Sequence, residues 1–150
     1  EQPADLITCF LYSIHYSGTI ERLKSCIASA HGALAAGGLF CFNAVDKRQI
    51  DNASFVSHST RHAEGLFSFS SGWHYPGDGE RQALKLRIER TVDGKSQIWH
   101  DEHAMVALSF AELIELLQPY FEVHVLEHDY EKLLPWNEAS GNAIFACVKI

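Results

Sequence analysis

Nine histidines and four cysteines in 150 residues raise metal and acid–base chemistry first. The densest ligand string is His100-Asp101-Glu102-His103. Side chains alternate along a strand, so His100 and Glu102 would face one way and Asp101 and His103 the other. Two ligands per face are too few for a closed site. His58 and His62 have i, i+4 spacing but lie in a segment without a helical pattern. No metal is therefore expected. Cys9, Cys26, Cys41 and Cys147 contain no CxxC pair. Three sit in apolar, strand-like runs and one on a helical face, so they read as buried structural thiols in a reducing, cytoplasmic setting. No cationic neighbour in sequence would activate them.

The elements around Phe10 to Tyr16 make that segment the most informative. Asp5 to Leu11 is an apolar run without alternation, the pattern of a strand buried on both faces. Tyr12 to Ser17 breaks it and reads as a loop. Thr19 caps a helix expected to run to about Ala35, with Ile20, Leu23, Ile27, Ala30 and Leu34 on one face and Gly37-Gly38 ending it. Leu39 to Val45 is a second unalternating run. Residues 1–47 thus form a βαβ unit of a covered parallel sheet. Ligands of such sheets sit beyond the carboxyl ends of the strands, which places Phe10 to Tyr16 first among candidate site residues.

Residues 54–107 change character. Leu66 to Trp73, Leu84 to Thr91 and Gln97 to Ala107 alternate apolar and polar residues, as antiparallel strands with one wet face do. Asp93-Gly94 is a hairpin signal, so an inserted antiparallel meander is expected. Residues 108–150 return to α/β. Ser109 and Glu112 suggest a capping box, Pro119 a stop, and Phe121 to Glu127 and Asn142 to Lys149 an antiparallel strand pair.

Composition narrows the partners. Nineteen acidic against twelve basic residues leave a net charge of −7, which disfavours a nucleic-acid backbone as partner. No run approaches the ~20 apolar residues of a membrane span, and none resembles a signal peptide. The first strand would leave a long apolar edge, which soluble proteins cover. The chain begins at Glu1, and its only methionine is Met105. Both features read as a piece of a longer domain, the strand edge covered by a preceding segment of the same domain, by a partner chain or by the inserted meander.

The order of elements resembles the carboxy-terminal half of the class I S-adenosylmethionine-dependent methyltransferases: two parallel strands, an insertion, a helix and a reversed strand pair. Asp5-Leu6-Ile7-Thr8-Cys9-Phe10 looks like the family's fourth strand, and His15-Tyr16 resembles a frequent feature of the loop after it. Leu34-Ala35-Ala36-Gly37-Gly38-Leu39-Phe40 is similar to the turn before the fifth strand, with Ala36 in place of proline. Ser109-Phe110-Ala111-Glu112-Leu113 resembles a helix start after the insertion, and Gly141 to Lys149 the reversed last strand. The family's glycine-rich loop and the acidic residue of its second strand have no counterpart here, and Asn43 departs from an acidic residue frequent in the fifth strand.

The resemblance implies a fold of α/β class with S-adenosylmethionine as cofactor and a small-molecule acceptor. Phe10, Leu11 and Tyr12 would line the cofactor's methionine end, and cofactor binding by this chain alone would be weak. His15 would face the acceptor as a catalytic proton acceptor. Tyr16, Asn43, Trp73, His103 and Tyr130 are the candidate substrate-binding residues. For Trp73 and His103 in the meander two readings stand, a cover that shapes acceptor choice and a homodimer face. The rival reading of the whole chain is a non-catalytic α+β binding or dimerisation domain. The methyltransferase resemblance requires Asp5 to Leu11 to run parallel to Leu39 to Val45, and fails if the two are antiparallel or in different sheets.

Overall fold

Two four-stranded sheets divide the chain in the computed structural model, which describes residues 2–150. The elements in order are β1 (Ala4–Cys9), a 3₁₀ turn (Ser13–Ser17), α1 (Ile20–Ala33) and β2 (Leu34–Val45). A meander of β3 (Val56–His62), β4 (Gly65–His74), β5 (Arg81–Val92) and β6 (Lys95–Val106) follows, then α2 (Phe110–Leu117), β7 (Phe121–Glu127) and β8 (Asn142–Lys149).

The main sheet has the order β1-β2-β8-β7. Strands β1 and β2 are parallel, with Leu6 opposite Leu39 and Cys9 opposite Phe42. That is the pairing the methyltransferase resemblance requires. Strand β8 runs antiparallel to both β2 and β7, so β1, β2 and β7 all point the same way. Their carboxyl ends, together with the start of β8, therefore share one edge of the sheet.

The core lies on one face of this sheet. Phe40, Phe42 and Ala44 alternate inward along β2 and meet Phe145 and Cys147 of β8. Helix α1 presents Leu23, Ile27 and Ala30, at helical spacing, to the same face, and α2 presents Phe110, Leu113 and Leu117. Phe42 stacks on Phe145 with ring centroids 5.1 Å apart, and Phe110 meets Phe145 edge-on at 5.2 Å.

The other face is where the sequence reading needs correction. Leu6 is 55 % exposed, Thr8 is exposed, and Leu39 and Cys41 are only partly covered. The unalternating runs implied burial on both faces, but both helices pack on the Phe40–Phe42 side. The helix α1 also ends earlier than expected, at Ala33, and Leu34 already has extended backbone. The glycines serve a bulge instead. Between Ala4 and Leu6 of β1 the partner strand advances from Leu34 to Leu39, and Gly37 takes a φ of 72° within the extra residues. A left-handed conformation of that kind suits glycine and few other residues.

The meander pairs in strict antiparallel order. Its last turn uses Asp93 and Gly94 with φ of 47° and 75°, the paired positive values of a two-residue hairpin. Strand β3, which carries His58 and His62, was not foreseen. Its VSHSTRH sequence is polar and exposed along its whole length, so no apolar alternation marked it. Ser109 caps α2 through the capping box with Glu112.

Phe42 is fully buried between Phe40 and Phe145. Phe42→Ala is expected to cost about 3–5 kcal/mol of stability. Urea unfolding should show this as a lower midpoint with an unchanged slope.

Candidate functional site

The chain leaves β1 in a strained way. Leu11 and Tyr12 have φ of 56° and 58°, a region non-glycine residues enter rarely and at a cost of order 1–3 kcal/mol. The surroundings hold them there. Asn43, buried on β2, accepts the backbone N–H of Tyr12 through Oδ1 at 3.0 Å. The Tyr12 hydroxyl donates to Asn142 Oδ1 at 3.2 Å, at the start of β8. Its ring meets Trp73 edge-on at 5.1 Å and stacks with His128 at 6.0 Å. Burial raises the Tyr12 phenol above its ordinary pKa, with Tyr130 adding to the effect and Asn43 opposing it. Tyr12 therefore remains a neutral donor.

His15 lies inside rather than beside this site. It is 1 % exposed. Its Nδ1 lies 2.9 Å from the Val106 carbonyl, to which it donates, and its Nε2 accepts the N–H of Val45 at 3.0 Å. One ring thus joins the end of β6 to the end of β2. Both nitrogens are engaged, which leaves neither open to a proton from an acceptor. Burial lowers its pKa to about 4, the bond to Val106 opposing this in part. Gln82, also buried, lies against the same ring, 3.2 Å from Nδ1.

The remaining candidates separate into two groups. Tyr12, Asn43 and Tyr130 surround His128, whose Nε2 lies 3.4 Å from both Asn43 Nδ2 and the Tyr130 hydroxyl, and Trp73 joins the group through the Tyr12 ring. Phe10 meets Tyr130 edge-on at 5.9 Å, and Leu11 projects outward, 82 % exposed. Tyr16 and His103 form the second group, joined by a hydrogen bond from the phenol to Nδ1. Trp73, Leu84 and His103 are cross-strand partners on one face of the meander. That face meets the 3₁₀ turn at Trp73, beside His15, and at His103, beside Tyr16.

Between the two sheets lies a cleft of about 450 Å³ lined by Tyr12, Val45, Gln49, Asp51, Trp73 and Asn142, among others. The volume is in the range of small-molecule sites. Its floor is the shared carboxyl edge of the main sheet, and its roof is the meander. Asp46 braces the floor, accepting the N–H of Arg48 at 2.8 Å and of Phe110 at 3.3 Å, while Lys47 donates its N–H to Leu108 at 3.0 Å.

Sequence reasoning missed His128, Asn142, Gln82 and Asp101. The first had a usable signal: His128 directly follows β7, which runs parallel to β1 and β2, so the same carboxyl-end rule applies to it. Asn142 and Gln82 depend on strand order and had none. Asp101 and His103 do share a face. Among the described residues no group of three or more His, Cys, Asp and Glu side chains could hold a metal ion. The four cysteines are free thiols, but only Cys147 is buried, its pKa pushed up by burial to about 12. Cys26 is exposed on α1 and Cys9 and Cys41 are half-covered, so the expectation of buried thiols holds for Cys147 alone.

His15 generates a pH signature. An unfolded chain binds a proton near the ordinary histidine value of about 6.5, while the folded chain resists it to about 4. The stability this contributes is complete above the unfolded value and is lost as pH falls through the window toward 4. The loss is on the order of 3 kcal/mol. Urea unfolding across that window should show it in the native protein and not in His15→Gln. Equal pH slopes for the two would refute the assignment.

No family model and no curated protein matches the chain in sequence. Its likeness to solved structures is clear. CalS10, an amino pentose methyltransferase from Micromonospora echinaspora solved with S-adenosylmethionine bound, superposes over 99 % of this chain with a TM-score of 0.78 at 13 % identity. DesVI of Streptomyces venezuelae gives 0.76 at 16 % identity over 99 % of the chain. An S-adenosylmethionine-dependent methyltransferase from Clostridium acetobutylicum gives 0.71 at 15 % identity, again over 99 %. The chain spans 59 %, 60 % and 59 % of those three structures respectively. With its parallel β1–β2 unit, reversed β8 and mixed α/β layers, the chain has a class I S-adenosylmethionine-dependent methyltransferase-like fold over the part of those structures that it spans.

Proposed function

We propose that this chain forms the acceptor side of an S-adenosylmethionine-dependent methyltransferase acting on a small molecule, and that the rest of the cofactor site is built by further strands along the free edge of β1. The observation that carries this reading is the cleft. The loop after β1, the carboxyl end of β2 and the start of β8 meet at its floor, where ligands of open α/β sheets bind, and a separate sheet roofs it.

The residues present fit one end of the cofactor. Phe10 and Leu11 expose apolar surface at the end of β1, 38 % and 82 % accessible. The left-handed backbone at Leu11 and Tyr12 turns the chain across that edge. We infer that these three residues would hold the methionine end. The cofactor supplies an electrophilic methyl group; the chain's own residues orient the acceptor and exclude water. Trp73 and Tyr12 offer ring faces, while Asn142, Gln49 and Asp51 offer polar groups, a combination suited to a polar ring compound. CalS10 is described as an amino pentose methyltransferase and KedS8 of a Streptoalloteichus species as a sugar N-methyltransferase. A nitrogen on a polar ring is accordingly the acceptor class we favour. In this reading His15 positions the 3₁₀ turn and takes no proton.

Calorimetric titration of the full-length gene product with S-adenosylhomocysteine tests the cofactor assignment. Saturable binding is expected, weakened roughly tenfold or more by Leu11→Asp, a change of about 1.4 kcal/mol or more. The new carboxylate would lie beside the cofactor's own. No heat of binding with the unaltered protein would overturn the proposal.

A further inference from the structure

Tyr16, His103 and Asp101 form a chain of hydrogen bonds beyond the cleft's lining, on the turn after β1 where the cofactor's methyl group would meet the acceptor. Tyr16 lies on the 3₁₀ turn just beyond β1, and the other two lie on the same face of β6. The Tyr16 hydroxyl bonds to His103 Nδ1, and His103 Nε2 lies 3.1 Å from Asp101 Oδ2. The direction of the chain follows from the chemistry of its ends. An ionised carboxylate only accepts, so Nε2 carries the ring proton. Nδ1 then presents a lone pair, and the phenol must donate to it. The oxygen of Tyr16 keeps its own lone pairs, and the residue is 49 % exposed.

This is the polarity of a nucleophile–histidine–carboxylate triad with a phenol at its head. Two features set it apart from an incidental surface contact. The 3₁₀ turn that carries Tyr16 is fixed by its neighbour His15, whose ring is bonded to both sheets. The position of His103 is fixed by a ladder in which it opposes Leu84, which in turn opposes Trp73 in the cleft wall. The phenol is thus presented at the carboxyl end of β1 by two independent supports.

We propose that Tyr16, His103 and Asp101 are a proton relay for the acceptor, an inference that rests on the methyl-transfer reading. A primary amine is an ammonium ion near neutral pH and must lose a proton before its lone pair can attack the methyl carbon. The methyl transfer then moves positive charge from the donor's sulfur to the acceptor nitrogen. The nitrogen's N–H bond breaks as the proton joins the Tyr16 oxygen, and the phenol's original proton passes to His103 Nδ1. The resulting imidazolium is held by the Asp101 carboxylate and returns its proton to solvent after product leaves. Atoms and charge balance without another reagent.

Two measurements on the full-length gene product test this. Nitrogen NMR of His103 at mildly alkaline pH should show the neutral ring protonated on Nε2. Tyr16→Phe should shift the Nδ1 resonance, and Asp101→Asn should mix the two neutral forms. A ring indifferent to both changes overturns the relay. Turnover is read as S-adenosylhomocysteine released with a panel of primary amino sugars. Tyr16→Phe should lower kcat about 100-fold or more at little change in KM, within the usual range for general acid–base catalysis. Adding His103→Gln to it should cost little further, because the residues act as a unit. His100→Gln, on the opposite face of β6, should leave kcat unchanged. Full turnover in Tyr16→Phe, or a loss explained by a lower thermal midpoint, overturns the relay and reduces the contact to a latch. Absence of turnover in the unaltered protein overturns the methyl-transfer reading together with the relay.

Discussion

His15 reaches two backbones that belong to different sheets, the Val106 carbonyl at the end of the meander and the Val45 amide at the end of β2. Each of these groups is buried and would otherwise lack a partner at this junction. An unpaired buried group costs about 1–3 kcal/mol, so the imidazole secures both at once. It can do so only while neutral, because the donor on Nδ1 and the acceptor on Nε2 are both required. The burial that keeps it uncharged is supplied by the same two sheets it joins. Sheet packing, the placement of the 3₁₀ turn and the shape of the cleft therefore depend on one ring.

The strain at Leu11 and Tyr12 belongs to the same arrangement. Left to itself the chain would relax out of the left-handed region. Asn43 holds the Tyr12 amide from below, Asn142 holds its hydroxyl, and Trp73 lies against its ring. Support comes from β2, β8 and β4, three elements distant in sequence. A loop so over-determined presents its apolar outer surface in one orientation, which is the pre-organisation a binding edge needs.

Much of this architecture could be read from residues alone. The apolar runs of β1 and β2, the Thr19 and Ser109 caps, and the Asp93-Gly94 turn are local signals with local causes. Their order carried the family resemblance that the solved structures support. Strand β3 was invisible because an exposed edge strand needs no apolar alternation, and VSHSTRH has none. The burial of β1 was over-read because an apolar run reports what a strand can cover, not what lies beside it. The site was legible as a region and not as a set of roles. His15 and Tyr16 are adjacent, yet the fold puts one in the core and the other at the surface. Only the positions of Val106, Val45 and His103 decide which, and those lie between 30 and 91 residues away.

The cleft's two walls share no hydrogen-bond ladder. The floor is written into the main sheet, whose register is locked by Phe42 and Phe145, while the roof belongs to a sheet with a register of its own. Roof side chains away from Trp73, which also supports the Tyr12 ring, make no hydrogen-bonded pair with β1, β2 or β8. Sequence drift in the roof is thereby insulated from the edge where strand ends converge. A fold divided in this way can explore new occupants of the cleft at the rate its meander accepts substitutions, while the floor keeps its geometry.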